Sequence, residues 1–113
     1  MTAASTTEPS TEPFTKAQQI WQVLNLIPSG KVVSYGQLAE VAGLPGYARF
    51  VGSTLKKLPE GSRLPWHRVI NNSGQLSFPQ DSLKFLEQKQ RLQSEGVIFV
   101  NNRIRMSEYR WQP

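Results

Sequence analysis

Glycine and proline divide this chain. They cluster at Pro28-Ser29-Gly30, at Gly43-Leu44-Pro45-Gly46 and across residues 59–66, and no apolar pattern runs uninterrupted through them. Glycine loses backbone entropy in a helix and proline removes a helix hydrogen bond, so a chain broken this way builds short helices. Thr15 is placed to cap the first, in which Ile20, Val23, Leu24 and Ile27 share one face. Lys31-Val32-Val33 is short and extended. Ser34 caps a second helix, with Gln37 placed to complete a capping box and Leu38, Val41 and Ala42 as its apolar face. A third helix over 47–58 carries Val51, Leu55 and Leu58 at helical spacing, and residues 59–66 form a surface loop. Residues 68–70 are extended, Asn72-Ser73-Gly74 is a turn, and residues 75–77 make a short return strand. Ser82 starts a fourth helix, with Leu83, Leu86, Gln90 and Leu92 loosely periodic and Gly96 as its stop. Asn101-Asn102 joins 97–100 to 103–106 as a terminal hairpin. The expected fold class is mainly α with small β elements.

Residues 1–13, rich in Thr, Ser, Pro and Glu, hold too little apolar surface to offset ordering entropy and are expected to be a flexible tail. Residues 14–113 then form one domain. There is no cysteine, which excludes disulfides, thiolate metal sites and thiol nucleophiles, and the lone His67 excludes a histidine-rich metal site. No cofactor is expected. Thirteen Lys and Arg oppose eight Asp and Glu, for a net charge of +5, which favours a polyanionic partner. No stretch reaches the ~20 apolar residues of a membrane span, and the N-terminus is not a secretory signal, so an intracellular protein without membrane partners is expected.

Three constellations carry chemistry. The helices flanking 43–46 resemble a helix-turn-helix, and the second bears Tyr47, Arg49, Ser53, Lys56 and Lys57 beside its apolar face. Gly52 inside it costs up to ~1 kcal/mol against alanine, which calls for a packing or contact reason; an ordinary helical hairpin with solvated lysines is the plainer reading. Arg49, Lys56, Lys57, Arg63 and Arg68 cluster with Tyr35, Tyr47, Phe50 and Trp66 interleaved, suiting phosphates and stacked bases or, more plainly, a solvated basic face. In Leu64-Pro65-Trp66-His67-Arg68-Val69 a large aromatic adjoins the only histidine, a pair that also suits a core residue and a structural imidazole.

Pro65-Trp66-His67-Arg68-Val69 resembles the Pro-Cys-His-Arg-Val signature of O6-alkylguanine-DNA alkyltransferases, with tryptophan in the cysteine position. Ser34-Tyr35-Gly36-Gln37-Leu38-Ala39 and Ala48-Arg49-Phe50-Val51-Gly52 resemble that family's helix-turn-helix, and Glu95-Gly96 also fits. The replacement is similar to that of the alkyltransferase-like proteins. The resemblance implies a winged helix-turn-helix-like domain of the alkyltransferase C-terminal type, and it assigns roles. Tyr35 pushes on the phosphate of the target nucleotide, and Arg49 is the finger that fills the vacated stack. Tyr47, Ala48 and Gly52 meet the minor groove, and Lys56 lies near the backbone. Trp66 and Val69 border the pocket for the flipped base. His67 and Glu95, which activate the thiol in active members, are left as structural support. Leu58 stands where the family's hinge carries asparagine, and residues 75–81 depart from its Gly-rich loop.

The implied function is a non-enzymatic damage sensor. It would bind double-stranded DNA containing O6-alkylguanine as a monomer and hand the lesion to UvrA-like nucleotide excision repair proteins, in the cytoplasm and at the nucleoid. Two rivals fit the residues: a sequence-specific helix-turn-helix regulator, and an enzyme that removes the alkyl group without a thiol.

Overall fold

The structure, a computed structural model, describes residues 14–113; the tail expected over 1–13 lies outside them. The elements are α1 (Lys16–Leu24), β1 (Val33–Ser34), α2 (Tyr35–Val41), α3 (Ala48–Lys56), a 3-10 turn (Trp66–Arg68), β2 (Val69–Ile70), α4 (Leu83–Ser94), β3 (Phe99–Val100), β4 (Arg103–Ile104) and α5 (Met106–Tyr109). The described residues are therefore mainly helical with small β elements.

The short β1–β2 pair divides the interior. The strands are parallel, with Val33 opposite Val69 and Ser34 opposite Ile70. Successive side chains of a strand point to opposite faces, and the two cores follow that alternation. Val33 and Val69 join Ile20, Leu24, Ile27, Leu38, Ala39 and Val51 in a core under α1, α2 and α3. Val32 and Ile70 join Leu76, Phe85, Leu92, Val97 and Ile104 in a second core under α4 and the hairpin. Two valines adjacent in sequence thus anchor two different packing layers.

Local chemistry accounts for the helix boundaries. Thr15 accepts the Gln18 N–H, and the Gln18 side chain accepts the Thr15 N–H, a complete capping box. Ser34 and Ser82 cap α2 and α4 in the same way from one side. Between α2 and α3 the chain turns through Gly43 and Gly46, both at positive φ, and the Leu44 N–H returns to the Ala39 carbonyl at 2.8 Å. Asn101 and Asn102 both hold positive φ, as a tight turn of the mirror-image type requires, and join β3 to β4.

Several expectations need correction. Gln37 does not close a capping box; its amide donates to the Trp111 carbonyl at 2.6 Å and its oxygen accepts from Arg110, because the C-terminal segment packs there. Val41 is 40% exposed, and Ala39 takes the inward position instead. α3 ends at Lys56, with Leu58 beyond it and packed on the first core. Residues 75–77 do not return along 68–70: β2 is already paired with β1, and Gln75 bridges Arg103. In α4, Leu83 is 85% exposed and Leu86 and Gln90 also face outward, whereas Phe85, Gln88 and Leu92 are buried. Met106 opens α5 rather than continuing β4.

Gly74 ties the 72–74 turn to β4. It sits at φ +89, its carbonyl accepts the Ile104 N–H, and a Cβ there would run into the Ile104 carbonyl oxygen. Gly46 has a similar φ of +86, but among the described residues no atom lies within 4 Å of an added Cβ. Gly46→Ala is expected to cost only the ~1 kcal/mol of left-handed strain, and Gly74→Ala clearly more. Urea denaturation of the two variants checks this, and equal losses would contradict it.

Candidate nucleic-acid interface

α2 and α3 present one wall of an open groove of ≈ 1280 Å³. Tyr35 from the first turn of α2, and Ala48, Arg49, Gly52 and Lys56 from α3, line it together with Trp66 and Val69. The spacing of 48, 49, 52 and 56 places those residues on one stripe of α3, while Val51 and Thr54 face inward. The Tyr35 hydroxyl shares a hydrogen bond of 2.7 Å with Ser77, and Ser77 donates to Asn71, so the 71–77 segment fixes the phenol. Gly52 has ordinary helical backbone, and an added Cβ would meet only the Tyr35 ring, at 3.9 Å. Nothing among the described residues requires a glycine there.

The groove is floored by the 3-10 turn. Trp66 is half-buried, edge-on to Phe78 at 6.3 Å between ring centroids and to His67 at 6.1 Å. Val69 is 1% exposed. The carbonyls of His67 and Val69 both accept from the buried Gln88 amide at 3.1 Å, and the Trp66 carbonyl accepts the Val69 N–H. A carbonyl oxygen has two lone pairs, so Trp66 and Val69 each retain one acceptor site.

Beneath the floor lies a polar hub on Glu95. His67 Nε2 is 2.8 Å from one carboxylate oxygen, to which Arg68 Nη2 donates at 2.7 Å. Arg68 Nε and the Gly30 N–H donate to the other oxygen, each at 3.0 Å. An ionised carboxylate only accepts, so Nε2 carries the imidazole proton and Nδ1 is a bare acceptor, buried and without a partner among the described residues. Burial pushes His67 below its ordinary 6.5, and the Glu95 hydrogen bond and charge only partly offset this. Burial pushes Glu95 upward, but the hydrogen bonds from Arg68, His67 and Gly30 outweigh it and bring the carboxyl from 4.5 down to about 2. The pair is therefore a neutral imidazole donating to a carboxylate.

The sequence matches, over residues 15–97, the family described as 6-O-methylguanine DNA methyltransferase, DNA binding domain. The chain belongs to this family. It is 49% identical over 96 residues to a DNA base-flipping protein of Vibrio parahaemolyticus, covering 84% of this chain and 94% of the relative. It is 38% identical over 100 residues to alkyltransferase-like protein 1 of Schizosaccharomyces pombe, covering 84% and 93%. The solved structure of S. pombe Atl1 in complex with damaged DNA containing O6-carboxymethylguanine is similar with a TM-score of 0.80 and 37% identity, over 87% of this chain and 95% of that one. The fold is that of the family's DNA-binding domain.

Within this family fold, seven of the ten residues to which the resemblance gives a role line the groove: Tyr35, Ala48, Arg49, Gly52, Lys56, Trp66 and Val69. Tyr47 does not; it precedes α3, its ring edge-on to Phe50 and within 5.7 Å of Lys16 Nζ. His67 and Glu95 lie under the floor. Arg68, grouped above with the basic surface, is instead committed to Glu95 and to the Ile27 carbonyl at 2.6 Å, so it is a structural cation. Ser77, Lys84, Gln88 and Arg91 also line the groove and were missed. The last three recur at helical spacing from the Ser82 cap, a polar stripe that apolar periodicity does not reveal. Ser77 has no local signal.

Both shifts leave the unfolded chain binding more protons than the folded one, so stability rises with pH. Stability is expected to decline as pH falls below 6.5, when unfolded His67 protonates first, and again from 4.5 toward about 2 as Glu95 titrates. Urea midpoints at stepped pH measure this. Glu95→Gln should lower the neutral-pH midpoint and flatten the acid limb; an acid limb unchanged by it would contradict the assignment.

Proposed function

We propose that this protein is a non-enzymatic sensor of O6-alkylguanine in duplex DNA. The observation that carries the reading is that Tyr35, Arg49, Gly52 and Trp66 line one groove in a chain with no cysteine. The damaged-DNA complex of Atl1 and the base-flipping name of the Vibrio relative support it.

A base inside a duplex hides its O6 edge, so a reader extrudes it at a cost of a few kcal/mol. α3 enters the minor groove through Ala48 and Gly52, with Tyr47 at its start and Lys56 beside the backbone. Tyr35 presses on the target phosphate, and the Arg49 guanidinium, exposed at the groove edge, fills the hole in the stack. The alkylated base enters between Trp66 and Val69, where free carbonyl lone pairs accept its exocyclic amine. Alkylation weakens pairing with cytosine, so the lesion extrudes more cheaply than guanine. Trp66 stands where the related methyltransferases need sulfur, and His67 and Glu95 hold the floor in place of activating a thiol. The protein acts as a monomer in the cytoplasm and at the nucleoid, needs no cofactor, and leaves the lesion for nucleotide excision repair through UvrA-like proteins.

Titration of duplexes with and without O6-methylguanine, at several salt concentrations, tests the reading. Tighter lesion binding is expected at each salt, with no alkyl mass gained by the protein; equal affinities would sink lesion recognition, and mass gain would sink the non-enzymatic role. Arg49→Ala should weaken lesion binding about tenfold and undamaged binding much less; equal losses would refute the finger.

Gly52 provides a check with opposite signs. Gly52→Ala should raise fold stability by up to ~1 kcal/mol, because helix propensity improves and no internal clash arises. It should at the same time weaken DNA binding, because a methyl group would stand between α3 and the duplex. Unchanged binding in the stabilised variant would show that α3 does not approach DNA at this position.

A further inference from the structure

Helix α4 contributes a second charged wall to the groove. Lys84, Glu87, Gln88 and Arg91 line it, and two of them are cations on the Trp66 ring. Lys84 Nζ lies 4.5 Å from the ring centroid and Arg91 Cζ lies 5.6 Å from it. Glu87 is the acid between them, bonded by Arg91 at 2.9 Å and paired with Lys84 at 3.6 Å. All three side chains are 41–49% exposed, and ion pairs in that setting contribute little. The wall therefore keeps an excess positive charge beside Trp66, and its internal pairs exchange readily for a better acceptor.

We infer that Lys84 and Arg91 make the groove selective for O6 substituents that carry a negative charge, a carboxylate in the first instance. This rests on the O6-alkylguanine reading above and names the class of adduct the groove prefers. A neutral alkyl group finds apolar surface on Trp66 and Phe78 but must displace the Lys84 ammonium from the indole. A carboxylate at the same place accepts charge-assisted hydrogen bonds from both cations, roughly twice as strong as neutral ones, in exchange for the exposed pairs that they make with Glu87. It also exchanges the repulsion of surrounding phosphates for two local positive charges. Glu87 works against this preference, since it competes for both cations.

The test compares duplexes containing O6-carboxymethylguanine and O6-carbamoylmethylguanine, nearly equal in size and different in charge, by competition binding at one salt concentration. The ratio of the two affinities within each protein cancels contacts that the same cations make to backbone phosphates. The intact protein is expected to favour the carboxylate about fivefold. The double variant K84Q/R91Q should lose that preference, and E87Q should increase it. Equal binding of the two lesions by the intact protein, or a preference that survives K84Q/R91Q, overturns the inference and leaves lesion recognition standing. Binding of neither lesion above unmodified guanine overturns both.

Discussion

The Glu95 carboxylate accepts four hydrogen bonds, from the Gly30 backbone, from His67 and twice from Arg68. Those donors come from the loop after α1 and from the 3-10 turn, while Glu95 itself caps the end of α4. Arg68 extends the clamp to the Ile27 carbonyl. One side chain thus fixes the end of α4 against both the groove floor and the helix that supports α2 and α3. A buried polar network of this kind is costly when any member is missing, because the remaining donors lose both water and partner. It is stable here because every carboxylate oxygen is doubly satisfied and the histidine enters it neutral.

The relative placement of the groove walls follows from that clamp. α2 and α3 pack on one side of β1–β2, and α4 packs on the other. The strands are only two residues long, too short to set the geometry alone. The Gln88 amide adds a second tie, holding the His67 and Val69 carbonyls that form the floor. Trp66 then projects from a turn fixed at both ends, with Phe78 against its edge and α4 cations on its ring. The ring is preorganised without any covalent chemistry available to it.

Legibility divided along the same line. The Thr15, Ser34 and Ser82 caps, the breaks at 28–30 and 43–46, and the Asn101-Asn102 turn were readable because each depends on residues within a few positions. The role of Gln37 was misread because its side chain had a distant competitor in Trp111. In α4 the apolar pattern misled: Leu83 and Leu86 face outward, and Gln88 is only 2% exposed, its amide nitrogen held by two carbonyls. Charge counting placed Arg68 on the surface, and only the approach of Glu95 from the far end of α4 removes it from there.

By itself the sequence determined the fold class, the stripe of α3 that faces outward and the absence of a thiol beside His67. These are properties of residue identity and short-range spacing, which the backbone period converts directly into position. Tertiary structure alone decided which polar groups are spent internally and which remain for a ligand. It committed Arg68 to the framework and added Lys84 and Arg91 to the groove. The physical reason is that a polar side chain is committed by the partner it meets, and here those partners lie up to 74 residues away along the chain.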